Sequence, residues 1–325
     1  MTDDLNEQSK TAKAMPDPLS QLQRLQANGR HRRIGRFWRF TRRSLGITAL
    51  LVVAAAVLFW LFQRGEMPET AIFQGVTYTC ERMPETDESS GLVHIVCVDL
   101  NAPGIELYTT PVDPTLADNP NWQYRLKTAS TVLSENELSI VVNGTQFSSD
   151  SYSLTWEGKD WPIRLSGDLA KSNEIMVSNG VLNNAETNQY LLWFEEDLTP
   201  HLETEKNTVQ SVLPQVKWGV GALGILVKDG KLNRDRPETP DTKTLIGINP
   251  ETKQLWLATF ESASIRVAAR KLVEQGALDV VRVDGGSSST MKIGSAASHM
   301  RSGTVMGGWI PTATHFGVRA RNLAD

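Results

Sequence analysis

The sequence predicts an α+β fold: a mixed, largely antiparallel β-sheet core with packed helices, preceded by a single transmembrane helix. Three observations carry this expectation. Short runs rich in Val, Ile and Thr, bounded by Gly, Asn, Asp and Pro, recur from Val76 to the C-terminus. One stretch, Ser264–Gln275, has helical periodicity and lies between two strand-like runs. Finally, Leu45–Phe62 is 18 residues without a charge. As a helix it would span about 27 Å, enough for the hydrocarbon core of a bilayer.

The basic and acidic residues divide about this apolar run. Residues 1–44 carry ten Lys/Arg against four Asp/Glu, a local +6, and residues 45–325 carry 23 against 33, a local −10. Eight arginines from Arg24 to Arg43 precede the run with no acid among them, and only Arg64 and Glu66 follow closely. The positive-inside rule then places the N-terminus in the cytoplasm and the remainder outside it. The expected location is the inner (cytoplasmic) membrane, single-pass, with a periplasmic or extracytoplasmic C-terminal domain. A buried core helix fits less well, because such helices keep a polar face. A cleaved signal peptide is the alternative, although its basic region is long and no small-x-small site follows Phe62. The arginines are expected to meet anionic lipid, with no nucleic-acid partner.

The expected organisation is a basic cytoplasmic tail (1–44, with a short helix near 19–26), an anchor (45–63), a linker (64–75) and a folded domain (76–325). Within that domain, Leu92–Leu100 and Ile105–Thr110 read as strands joined in a hairpin by Asn101-Ala-Pro-Gly104. Lys127–Asn136 reads as a short helix with Ser130 as its N-cap. Strand Leu138–Val142 leads into Asn143-Gly144. Ala222–Lys228 turns at Asp229-Gly230, and Thr244–Ile248 pairs with Leu255–Phe260. The helix Ser264–Gln275 ends at Gly276, a C-terminal capping residue. Strands Asp279–Val283 and Thr314–Ala320 follow.

Cys80 and Cys97 lie after the anchor, where an oxidising compartment allows a disulfide worth roughly 3 kcal/mol. The five histidines are scattered and none has ligand spacing with the cysteines, so neither a metal site nor a cofactor is expected.

Three polar motifs lie at strand ends: Asn143-Gly144-Thr145-Gln146-Phe147, Asp241-Thr242-Lys243-Thr244, and Asp284-Gly285-Gly286-Ser287-Ser288-Ser289-Thr290. The third carries most chemistry. A carboxylate at a strand end is followed by glycines that let the backbone approach a ligand, and by N–H groups and hydroxyls that can cradle an anion. A tight turn capped by Asp284 is the plainer alternative. Period-two alternation puts Arg282 on the face of Asp284, either as a phosphate contact or as a structural ion-pair partner. Gly219-Val-Gly221-Ala-Leu-Gly224 spells a dinucleotide fingerprint, but a strand follows instead of a helix. Asn143-Gly144-Thr145 is also a glycosylation sequon, better explained as a strand-end motif. Trp156, Trp161 and Trp309 could stack on sugars, although packing is the commoner role.

In this order, and with the segment Val-Asp99-Leu-Asn-Ala-Pro-Gly-Ile before them, these motifs resemble those of the phosphodiester glycosidase family over about residues 76–320. That family includes bacterial envelope and exopolysaccharide proteins. The resemblance implies hydrolysis of the bond between a sugar's anomeric carbon and a phosphodiester, so the expected partner is a phosphorylated glycan or polysaccharide. Asn143, Gly144 and Phe147 match its asparagine–glycine–aromatic motif, with Thr145-Gln146 replacing Gly-Phe. Lys243 stands for its arginine beside a matching Thr244. Asp284, Gly285, Gly286, Ser288 and Ser289 match its Asp-Gly signature, while Ser287 replaces a glycine and Arg282 an asparagine.

Asp284 is then expected to act as base or as an oxocarbenium-stabilising carboxylate. Lys243, Thr244, Arg282 and the 285–289 turn would bind substrate, Asn143 would orient sugar or water, and Glu261 would be a second carboxylate. The alternative is a non-catalytic polysaccharide-binding or assembly protein on the same fold.

Overall fold

The computed structural model describes residues 52–53, 65–156, 159–183, 190–233, 239–295, 297 and 303–323. The expected tail, its helix at 19–26 and the anchor lie outside these residues, apart from Val52 and Val53, which are helical. Among the described residues no helix is long and apolar enough to cross a membrane. Residues Glu66–Asp325 form one compact unit.

The unit begins with three strands, β1 (Met67–Phe73), β2 (Val76–Arg82) and β3 (Ser89–Asp99), followed by β4 (Glu106–Thr109) and β5 (Tyr124–Arg125). Helix α1 (Ala129–Glu135) precedes β6 (Ile140–Asn143) and β7 (Phe147–Ser149). Strands β8 (Tyr152–Trp156) and β9 (Lys159–Ile163) pair only with each other among the described residues, and β10 (Leu169–Ser172) returns to β7. Next come β11 (Met176–Ser178), β12 (Val181–Leu182), β13 (Leu191–Phe194), β14 (Pro200–Glu203), α2 (Lys206–Val212) and β15 (Trp218–Gly221). The C-terminal part holds β16 (Gly224–Lys228), β17 (Lys231–Leu232), β18 (Asp241–Asn249), β19 (Gln254–Ala263), α3 (Ile265–Glu274) and β20 (Asp279–Arg282). Strands β21 (Met291–Ile293), β22 (Gly303–Met306) and β23 (His315–Arg319) complete it.

Two sheets form the frame. The first has the order β1-β2-β3-β19-β18-β20-β16-β17 and the second β22-β21-β6-β23-β4. Between them lies one apolar layer, with Val96, Ile246, Leu257 and Val281 from the first and Ile140, Val142, Phe316 and Val318 from the second. A third sheet, β12-β11-β15-β13-β14, adds Leu192, Phe194 and Val220 to the same layer. The outer face of the first sheet is covered by α3, whose Ala268, Ala269 and Leu272 meet Val93, Leu245, Trp256 and Val280. Both faces of β3, β18 and β19 are therefore buried, so these strands are apolar without a clean alternation. Helix α1 covers the second sheet through Ala129 and Val132 against Leu138 and Val141.

Several expectations are met closely. Gly276 takes φ +103° after the end of α3, as expected of a capping residue, while Ser264, expected as the helix's first residue, is its N-cap and accepts from the Val267 amide. Thr244 pairs with Thr259 and Ile248 with Leu255.

Others are corrected. Residues 64–75 are not a linker, since most of them form β1, the edge strand paired with β2. The Asn101–Gly104 turn does not make a hairpin, because β3 stays in the first sheet while β4 crosses to pair with β23. Turn residues mark the change of direction without choosing the partner. The cap of α1 is Thr128, whose hydroxyl accepts from the Thr131 amide, not Ser130. The frame is also less mixed than expected: every strand pair in the first two sheets is antiparallel, and β18 separates β19 from β20.

The disulfide is absent as well, and both thiols are free. Thr77 faces Cys97 in register and Cys80 faces His94, three positions further along β2. Cys80 points into the layer between the sheets and Cys97 towards α3. Side chains on opposite faces of a sheet cannot meet the geometry of a bridge.

Candidate active site

Three strand ends converge where the first and second sheets approach. Asn143 ends β6, Thr244 lies near the start of β18, and Asp284 follows β20. Asn143 is fully buried and joins all three. Its Oδ1 accepts from Thr244 Oγ1 at 2.7 Å and from the Thr290 amide at 3.0 Å, while its Nδ2 donates to the Asp284 carbonyl at 2.7 Å. Gly144 continues the seam, as its carbonyl accepts from the Asp284 amide at 3.0 Å. A Cβ at Gly144 would stand 2.6 Å from Thr314 Oγ1, so only glycine fits there.

The chain after Asp284 folds back as a short turn over Gly286–Ser288, with Gly286 at φ +58°. Thr242 Oγ1 fastens it by donating to the Gly286 carbonyl at 2.7 Å. Asp284 Oδ1 accepts from the Gly285 amide at 2.9 Å. Ser288 is buried, and its hydroxyl accepts from Arg164 Nη1 at 3.3 Å. That guanidinium also lies over the Phe147 ring, 4.8 Å from its centre. Burial raises the Asp284 carboxyl above its usual range, against the opposing pull of the Ser288 hydroxyl, the Gly285 amide, Arg164 and Arg282.

A second carboxylate shares this field. Glu174, just after β10, is buried and its Oε2 has no hydrogen-bond partner among the described residues. Burial first, and the charge of Asp284 second, push its carboxyl up to about 7. Its backbone is tightly held, with Ser172 Oγ donating to the Glu174 carbonyl at 2.6 Å and meeting Thr145 Oγ1 at 2.7 Å. Gly221 makes room for it, because a Cβ there would stand 2.6 Å from Glu174 Cβ.

A model of the phosphodiester glycosidase family matches residues 136–319, more than half of the chain and all of these residues. The chain belongs to the phosphodiester glycosidase family. It also resembles the catalytic domain of zebrafish N-acetylglucosamine-1-phosphodiester alpha-N-acetylglucosaminidase auto-inhibited by its pro-peptide. There the TM-score is 0.51 at 14% identity, covering 78% of this chain and 88% of that one. A hypothetical protein from Synechocystis gives a TM-score of 0.46 at 12% identity, covering 76% of this chain and 62% of that one. No curated protein matches the sequence.

In this phosphodiester glycosidase domain the expected residues take different places. Asn143, Gly144, Thr244, Asp284, Gly285, Gly286 and Ser288 come together at one seam, and Arg282 is close behind. Arg282 Nη2 lies 3.6 Å from the position of a Cβ at Gly285. Ser287 is exposed, whereas the buried Ser289 hydroxyl has no partner among the described residues. Phe147 packs with Tyr124, Leu126, Ala170 and Ala313. Lys243 is almost wholly buried, in register with Phe260.

Glu261 has a structural task. Its Oε2 accepts from the Leu92 amide at 2.9 Å, at the irregularity between β19 and β3. The carboxylate coupled to Asp284 is Glu174. Sequence reasoning missed Glu174 and Arg164, since neither lies in a motif. The available signal was Gly221, inside the glycine pattern set aside as a false dinucleotide fingerprint. Asn143 is buried, which excludes its sequon from use in the folded protein. Trp309 is exposed, and the side chains of Trp156 and Trp161 lie outside the described set. A cavity of about 210 Å³ borders α1, lined by Tyr108, Tyr124, Val132, Glu135 and His315 among others. None of the seam residues lines it.

Proposed function

We propose that this chain hydrolyses sugar-1-phosphodiester linkages outside the cytoplasm, tethered by its apolar segment 45–62, in envelope or exopolysaccharide metabolism. The observation that carries the hydrolytic reading is the pair Asp284–Glu174 beside the Gly285–Ser288 turn. Burial raises both carboxyl groups, and the charge of Asp284 raises Glu174 further, which places a candidate base and a second, protonatable carboxyl in one site. The turn offers backbone N–H groups, and Arg164 and Arg282 offer positive charge, where a phosphodiester anion would rest.

In this mechanism Asp284 in its ionised form takes a proton from water as the water oxygen bonds to the anomeric carbon. The bond from that carbon to the phosphate oxygen breaks, and its electron pair leaves with the phosphate monoester. A phosphate leaving group is a weak base and needs little proton donation. The neutral Glu174 therefore matters chiefly for charge, because a second carboxylate anion would repel the substrate. Asn143 positions Asp284 through its carbonyl and does not touch the reacting atoms. Lys243 supports the strand end from within.

The test is incubation of the full chain with sugar-1-phosphodiesters while free reducing sugar is measured. Release is expected, with Asp284→Asn slowing it by at least about a hundredfold. Binding without release would replace this reading with that of a polysaccharide-binding or assembly protein.

A further inference from the structure

Strands β8 and β9 form a two-stranded arm, with Tyr152 opposite Ile163 and Ser153 opposite Pro162. Five residues of strand reach about 17 Å. Its exposed residues are unusual in kind: Tyr152 is 80% exposed, Leu154 62% and Ile163 40%, and Leu165 beyond its end is 56% exposed. Tyr152 and Leu154 share one face by alternation, and Ile163 shares it as the register partner of Tyr152. Clustered exposed apolar side chains of this kind mark a contact surface.

The returning root of the arm leads directly into the candidate site. The outgoing chain leaves from β7, which begins at Phe147, and the returning chain delivers Arg164 directly after Ile163. Arg164 then bonds Ser288 at 3.3 Å and covers the Phe147 ring. A phosphodiester resting on the Gly285–Ser288 turn has one ester oxygen on the sugar and the other on its second substituent, the aglycone. With Arg164 at the phosphate, the arm offers that substituent the exposed Tyr152, Leu154 and Ile163 on one face of the strand pair that leads into Arg164.

We propose that the β8–β9 arm binds a hydrocarbon aglycone, so that the substrate class is a lipid-linked sugar-1-phosphodiester. This rests on the hydrolytic reading of the site. A water-soluble glycan would gain little from Tyr152, Leu154 and Ile163, whereas each methylene covered by them improves binding by up to about fourfold.

The experiment compares kcat/KM for methyl and octyl phosphodiesters of the same sugar, using the full chain and a Tyr152→Ser/Leu154→Ser variant in the same detergent. Identical conditions cancel any partitioning of the octyl compound. Octyl is expected to exceed methyl by at least tenfold in the unaltered chain. In the variant that ratio should fall towards one while the methyl rate is unchanged, which also shows that the variant folds. Methyl hydrolysis without an octyl preference overturns the inference and leaves the hydrolytic reading standing. So does an octyl preference that the variant retains, which would assign the arm to the bilayer or to a second copy. If neither compound is cleaved, the hydrolytic reading fails and this inference falls with it.

Discussion

At the scale of single residues, Glu174 and Asn143 yield the sharpest expectations. Glu174 titrates near 7, well above the usual carboxylate range, so it is neutral below that pH and charged above it. Catalytic efficiency towards an anionic phosphodiester should therefore fall as pH rises through about 7. In Glu174→Gln that limb should flatten, and an unchanged limb would remove Glu174 from the mechanism. The linkage for stability has the same sign: the raised carboxyl favours folding fully below its unfolded value, and this contribution is lost as pH rises through about 7. Urea midpoints of wild type and Glu174→Gln should thus diverge between pH 5 and pH 8, with the variant the less affected. Asn143→Ala would strand a buried hydroxyl, an amide and a carbonyl, which should cost about 2–4 kcal/mol by denaturant titration. The Asp284 turn could be read from the sequence because its chemistry is local, a carboxylate followed by two glycines. Glu174 could not, since its importance arises from burial against Gly221, 47 positions later.

At the scale of elements, legibility followed locality. Helix α3 announces itself by its apolar periodicity and by Gly276 after its end, which behaves as read, whereas Ser264, read as the first helical residue, is its N-cap. Removing the cap with Ser264→Ala should lower stability by about 1 kcal/mol without altering the methyl substrate's rate. A larger loss of rate than of stability would show that α3 does more than cover the first sheet. The β3–β4 segment misled because a turn does not specify a partner, and that of β4 lies some 200 residues on, in β23. Edge strand β1 was missed for a related reason. Its sequence, Met-Pro-Glu-Thr-Ala-Ile-Phe, is half polar, and only pairing with β2 makes it a strand.

For the whole molecule, the absence of a disulfide leads to a simple expectation. Reductant should not change the unfolding temperature, and two thiols per chain should react after denaturation but neither rapidly before it. Burial pushes the Cys97 thiol up to about 12, which keeps it in the unreactive thiol form. An unfolding temperature that drops on reduction would contradict the register of β2 and β3.

The Asn143 seam has a consequence for how the protein would fail. One carboxamide bonds β6 of the second sheet to β18 and to the carbonyl of Asp284 after β20, so the two halves of the sandwich share a fastening at the candidate site. Parting the sheets and disarming the site become the same event. Activity should then persist undiminished through local fraying and vanish together with the interior: thermal inactivation should superimpose on the loss of near-ultraviolet circular dichroism. By the same reasoning, the Thr290 amide should exchange its hydrogen only through global opening. A condition in which such a chain is folded but slack at its centre should accordingly leave no plateau between the two curves.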